Sequence, residues 1–190
     1  MDKLKSFLQS LTPFSDEDFE KSKPFFRTLE LKKGDALVEQ GKICKQIAFI
    51  NYGSFRTYYF NEKSEEITAC FRTEMSVVSS YRSFVLQEPS SLAVVALEDS
   101  EVIVIEHEGL HKLYEESIPW LKIGRLIAEA EYINMEEYAS VLNHESAKAK
   151  YLRLIKEQGQ VINKVKVEHV ASYLGVTRRT LSRIRQEISA

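Results

Sequence analysis

The sequence predicts an α+β fold in three parts: a β-rich domain over residues 1–116, a long helix over 117–143 and a small helical domain over 144–190. Three observations carry this reading. Short β-branched and aromatic runs, separated by turn residues, fill 29–106. One apolar stripe at helical spacing runs through the middle segment. Two short helical patterns that meet at a glycine close the chain.

Residues 1–28 read as short helices. Ser15 opens SDEDFE, a capping residue followed by acidic first-turn positions that suit a helix N-terminus. The strands begin with LEL, turn at KKGD and continue through ALVEQGK, IAFINYG, SFRTYYF, EEITACF, SLAVVAL and SEVIVIE. This pattern fits a sandwich or a barrel. Gly34, Gly41 and Gly53 fall at turns, where a positive φ costs glycine little. Between Glu74 and Pro89 the alternation breaks, and EMSVVSSYRSFVLQEP reads as a short helix and loop inserted between strands.

Residues 107–116 read as a short helix. Ser117 and Pro119 then open the long one, the serine as a cap and the proline in the first turn. Trp120, Ile123, Ile127, Ala130 and Ile133 recur at steps of three or four, and Leu121 and Leu126 widen the stripe. So broad an apolar face suits two surfaces at once, the chain's own β domain and a second copy. A further helix is expected from about Glu145 to Gln158, ended by Gly159.

The most informative stretch is VEHVASYLGVTRRTLSRIRQEI, Val167 to Ile188. Val170, Ala171 and Leu174 share one face of a first helix. Gly175 ends it, Val176 fills the corner, Thr177 caps the next helix, and Leu181 and Ile184 face inward. Two helices crossing steeply over a short turn require this spacing. Thr177, Arg178, Arg179, Ser182, Arg183 and Arg185 are left as the outward set. In a helix-turn-helix such residues meet the DNA major groove, where a guanidinium can bind guanine O6 and N7 together. Thr180 is a further hydroxyl for phosphate or base. Arg185, Lys164 and Lys166 are expected on phosphates.

Charge agrees. Residues 1–144 carry 16 Lys and Arg against 24 Asp and Glu, whereas residues 145–190 carry 10 against 4. A basic tail on an acidic body suits a nucleic-acid partner. No run of 18 apolar residues or secretory leader is evident, so a cytoplasmic protein without membrane attachment is expected. Cys44 and Cys70 form no CxxC pair and read as ordinary thiols.

At this point the order of parts resembles the Crp/Fnr family of bacterial transcription regulators. The resemblance rests on SYLGVTRRTLSRIR and on the barrel turns KKGD, EQG and INYG. It implies a jelly-roll-like, cyclic-nucleotide-binding-type barrel as sensor, a homodimer through the long helix and palindromic double-stranded DNA. RNA polymerase is a candidate further partner. It places Arg178 and Arg183 at base- or phosphate-contact positions, and Arg179 where many members have an acidic residue. Members that bind cyclic AMP carry Gly-Glu and, shortly before the next strand, an arginine. Here Thr73 replaces the glycine, Glu74 remains as ribose acceptor, and Ser90 and Ser91 stand where the arginine should be. Arg82, in the inserted segment, has a different spacing. Losing a charge-assisted phosphate contact argues against a cyclic nucleotide. Glu74, Arg82, Ser90 and Ser91 therefore mark a candidate pocket for an unknown effector acting by a two-state shift. The family's iron–sulfur members need four cysteine ligands, and this chain has two. Many members also follow the recognition helix with a β-hairpin wing. This chain stops at Ala190, soon after Ile188: either the wing is absent by nature, as in a subset of the family, or the chain is truncated, and DNA contacts are then expected to rest more heavily on the recognition helix and the basic residues before it.

His107-Glu108-Gly109-Leu110-His111 matches the zinc-protease pattern HExxH. It contains a helix-weakening glycine, and no third ligand is apparent, so neither a metal nor an enzyme is expected. The competing reading is a small-molecule or cyclic-nucleotide binding module with no DNA role.

Overall fold

The computed structural model describes residues 1–189, apart from the side chains of residues 137–144, 160 and 189. The chain opens with α1 (Asp2–Leu11) and α2 (Asp16–Ser22). Ser15 caps α2 as its sequence suggests: its Oγ accepts from the Asp18 N–H at 3.1 Å, and the Asp18 carboxylate accepts the Ser15 N–H at 3.1 Å. That reciprocal pair satisfies two donors which a helix start leaves open.

The eight strands are β1 (Phe26–Leu31), β2 (Ala36–Val38), β3 (Gln46–Tyr52), β4 (Ser54–Phe60), β5 (Glu66–Thr73), β6 (Val77–Val78), β7 (Ala93–Ala96) and β8 (Ser100–Glu106). β1 starts three residues earlier than its sequence pattern suggests. The strands form two antiparallel sheets of four, in the orders β1-β8-β3-β6 and β2-β7-β4-β5. Phe49, Ile50, Phe55, Val94, Val102 and Val104 belong to one buried core shared by both sheets. The inserted segment supplies β6 and the short helix α3 (Tyr81–Leu86).

Gly53 makes the β3–β4 corner possible. Its φ is +103°, and a Cβ there would stand 2.1 Å from the Ser100 hydroxyl and 3.0 Å from the Ser100 Cα. Both the left-handed backbone and the close approach exclude a side chain.

After β8 come α4 (His107–Glu116) and α5 (Ile118–His144). Trp120 and Ile123 of α5 are buried in the barrel's core cluster. The Trp120 ring meets Phe14 edge-on at 5.6 Å and Phe26 at 5.9 Å. Both residues are thus held by their own barrel, which corrects their expected place on a partner-facing stripe. Ile127 is half-buried against the same core.

The C-terminal part comprises α6 (Ala147–Ile162), α7 (Val167–Tyr173) and α8 (Arg178–Ser189). The regular helix of α6 breaks where Gly159 suggested: Gln158 has φ −138° and ψ 32°. A further helical turn, beyond the expected end, runs to Ile162, with Val161 and Ile162 buried in the second core. Gly175, at φ +68°, makes the turn between α7 and α8. Val170, Ala171, Leu174, Leu181 and Ile184 are all buried, as the two-helix pattern requires. Their core also takes in Phe71 and Leu97 from the barrel.

We expect Gly53→Ala to destabilise the barrel by at least about 1–3 kcal/mol, the cost of a strained backbone. Chemical denaturation would measure it.

Candidate functional site

The candidate recognition surface is built on α8. Thr177 caps that helix, its Oγ1 accepting the Thr180 N–H at 3.1 Å. The two hydroxyls also lie 3.0 Å apart. Leu181 and Ile184 anchor the buried face, and this turns Arg178, Arg179, Ser182 and Arg183 outward, all exposed. Of the expected cations, Arg183 has a long i,i+4 contact of 3.8 Å to Glu187, and surface pairs of this kind are weak.

Two expected contacts belong elsewhere. Arg185 turns back onto α6: its Nε donates to the Tyr151 hydroxyl at 3.0 Å, and its guanidinium lies 5.6 Å from the ring centroid. It braces the helix pair rather than facing outward, because its place on α8 overhangs Tyr151. Lys164 donates to both carboxylate oxygens of Glu98, at 2.7 and 3.0 Å, so the Lys164 ammonium is held against the barrel.

Among the described contacts, no hydrogen bond or ion pair joins the four residues of the candidate barrel pocket to one another. Glu74 accepts from Lys3 of α1 at 2.8 Å. Arg82 pairs with Glu88 at 2.9 Å, and both are exposed. Ser90 is buried and fully engaged: its Oγ lies 2.7 Å from both Ser80 Oγ and the Leu92 carbonyl, donating its one proton to one of them, and accepts the Leu92 N–H at 3.0 Å. Ser91 is exposed. Neither of the two cavities that stand out is lined by any of these four. One is an open groove of about 440 Å³ beside Phe25, Arg27 and Lys112; the other, about 50 Å³, lies between α1, α5 and the first sheet.

On α5, the apolar surface left uncovered is rotated from the expected stripe. Ala130 and Ile133 are exposed, as expected of a partner face. The largest uncovered side chains, however, are Ile118, Leu121, Tyr132 and Met135, 55–70% exposed. With Arg125 and Ala128 between them, they follow alternating steps of three and four, the spacing of a helix–helix seam. The remainder of the 117–143 stripe, from residue 137, lies outside the described side chains.

The HEGLH histidines do share a face, with ring centroids 4.2 Å apart. Burial first, and His111 next, lower His107 below the ordinary histidine value of 6.5. Among the described residues no group of three His, Cys, Asp or Glu is placed to hold a metal ion; the side chain of His144 lies outside them. Among the described residues, too, no helix is long and apolar enough to cross a membrane.

Sequence reasoning missed one cluster. Arg56, in β4, is 2% exposed. Its Nε donates to Thr68 Oγ1 at 2.9 Å and its Nη1 to Glu66 at 2.5 Å. Nη1 also lies 3.2 Å from His169 Nε2, on α7. The guanidinium stacks on Tyr58 at 4.5 Å. The available signal was an arginine inside the otherwise uncharged strand SFRTYYF, since a charge in a buried strand demands partners.

Proteins of known structure share this geometry. Residues 28–117 match the cyclic nucleotide-binding domain family. FixK2 from Bradyrhizobium japonicum shares the fold at a TM-score of 0.76 and 15% identity, over 86% of this chain and 84% of that one. A transcriptional regulator of the Crp/Fnr family from Eubacterium rectale matches at 0.73 and 16% identity, over 95% and 88%. The c-di-GMP-responsive global regulator CLP from Xanthomonas campestris matches at 0.73 and 13%, over 92% of each chain. No curated protein sequence matches the chain significantly. The chain shares the fold of these solved structures, as its sequence motifs led one to expect: a cyclic nucleotide-binding-type barrel, a long helix and a C-terminal helical region.

The two kinds of arginine on α8 should separate by experiment. Arg185→Ala is expected to lower the stability of the C-terminal helices by about 1 kcal/mol, the scale of one hydrogen bond plus a ring contact. Arg183→Ala should leave stability within about 0.5 kcal/mol, as exposed sites usually do. Thermal unfolding of the two variants checks the contrast.

Proposed function

We propose that this chain is a sequence-specific, DNA-binding transcription regulator that works as a homodimer in the cytoplasm. The observation that carries the reading is the exposed row Arg178, Arg179, Ser182 and Arg183 on a capped helix whose opposite face is buried. An arginine fork at the start of such a helix can read guanine in the major groove. Arg178 and Arg183 are assigned to base edges, and Arg179, Thr180 and Ser182 to bases or phosphates. Thr177 acts mainly as the cap.

The uncovered seam of α5 supports the dimer. Ile118, Leu121, Tyr132 and Met135 together form an apolar ridge that water would otherwise cover. A two-fold pair of α5 helices places two copies of α8 symmetrically, and this favours a palindromic site.

The barrel is assigned a sensing or structural role without a cyclic nucleotide. Ser90 and Ser91 replace the anion-binding guanidinium, Ser90 is saturated by internal hydrogen bonds, and Glu74 is taken by Lys3. Solved structures that share the fold are described as responsive to c-di-GMP in one case and as complexed with OCPA in another, so the architecture serves more than one effector.

Selection from random duplex DNA should yield a palindromic site. Arg178→Ala and Arg183→Ala should each weaken binding to it about tenfold or more, since one bidentate base contact is worth about 1–3 kcal/mol. Sedimentation should show the dimer unchanged. Retained affinity in the double variant would overturn the assignment of α8. Leu121→Asp combined with Tyr132→Asp is expected to yield a folded monomer that binds the palindrome poorly. Cyclic AMP should leave the melting temperature unmoved, whereas a true ligand at about 100 times its Kd adds about 2.7 kcal/mol of stability.

A further inference from the structure

The C-terminal helices sit on the outer face of the second sheet, and one titratable contact lies at the centre of that seat. β5 is the edge strand of its sheet. α7 covers the edge: Ser172 Oγ accepts the Thr68 N–H at 3.0 Å and donates to the Glu66 carbonyl at 3.2 Å. The rings of Phe71 of β5 and Tyr173 of α7 pack with centroids 5.5 Å apart, tilted by 51°. Beside them, His169 Nε2 meets Arg56 Nη1 at 3.2 Å.

A guanidinium can only donate, so at this contact His169 Nε2 must accept. The imidazole is therefore neutral, with its proton on Nδ1. Both Nδ1 and Arg56 Nη2 are buried without a hydrogen-bond partner in the structure. Adding a second proton to the ring destroys the acceptor. It also sets an imidazolium against a buried guanidinium, and like charges in a poorly hydrated contact repel strongly.

We propose that His169 and Arg56 form a proton-operated latch: neutral His169 holds α7 on β5, and protonated His169 drives the helix-turn-helix off the barrel. All the charges that face the ring bear on this balance. Arg56 from β4 opposes protonation, as does Lys166 before α7. Glu66 from β5, 3.9 Å away, and Glu168 within α7 favour it. Tyr58 lies beneath the guanidinium rather than on the ring. Burial, followed by Arg56, outweighs the two carboxylates and holds His169 below the ordinary value of 6.5. The docked state therefore favours the unprotonated ring. Its stabilisation is full above pH 6.5, where the released histidine is already neutral, and is lost as pH falls below that toward the lower docked value.

The consequence for DNA rests on the proposed function: release would free α8 from a set position relative to its two-fold mate. The latch itself needs no DNA for its test. Amide hydrogen exchange on the full chain, corrected for intrinsic rates, would be followed at pH 7.5 and 5.5. Protection of the Thr68 amide should fall several-fold at the lower pH, while the Ile50 amide in the barrel core stays protected. In His169→Gln the Thr68 protection should no longer respond to pH over this range. In His169→Arg it should be low at both values. Glu66→Gln, which removes the opposing carboxylate, should enlarge the response. An undiminished response in His169→Gln, or a flat profile in the native protein, overturns the latch. Should His169→Arg fail to fold, the native and His169→Gln profiles still decide.

Discussion

The seating of α7 on the edge of β5 is the interaction on which the placement of the C-terminal domain depends. An edge strand exposes N–H and C=O groups that invite pairing. Here one serine hydroxyl takes both a donor and an acceptor from that edge. The apolar side of the same contact is continuous with the core of the helix-turn-helix, because Phe71 and Leu97 are buried with Leu154, Val170 and Leu174. A small helical pair gains a larger core this way than its own length could supply. Lys164 and Glu98 close the seat at a second point. Burial alone would raise the Glu98 carboxyl, but the hydrogen bonds from Lys164 and Ser54 outweigh it and hold the group below the ordinary carboxylate value.

Helix α5 answers to two environments along one length. At its start, Trp120 and Ile123 complete the barrel core between α1 and the first sheet. The face a quarter-turn or so away carries Leu121, Tyr132 and Met135, more than half exposed among the described residues. A further tie to the barrel is bidentate: Arg72 of β5 donates to both oxygens of Glu131, at 2.8 and 2.6 Å. The helix thus touches both sheets of the barrel while a row of apolar side chains along it stays exposed.

Much of this was legible in the residues. The strands of 29–106, the inserted helix before Pro89 and the helix at 107–116 follow from alternation, turn residues and helical spacing, all local signals. So do the Ser15 cap and the positive φ of Gly34, Gly41, Gly53 and Gly175. The helix-turn-helix was clearest, because its buried and exposed positions are fixed within one short stretch. The misses share a cause. The helix break beside Gly159 was legible, but the extra turn beyond it was not, because Val161 and Ile162 are held by distant residues. Arg185 looked outward until Tyr151, 34 positions earlier, was brought beneath it. Trp120 and Ile123 fit a helical stripe, yet spacing does not say which surface a stripe meets.

The sequence by itself determined the kinds and order of elements, the basic character of the last helix and the absence of a guanidinium at residues 90 and 91. These are properties of neighbours along the chain, set by backbone preference and by which groups carry charge. Only the tertiary structure decided which face of α5 is spent on the barrel, which cations remain outward on α8, and that Arg56 and His169 meet. Those pairings span 34 to 113 positions. They arise from packing helices and sheets against one another, a geometry that no local pattern of residues encodes.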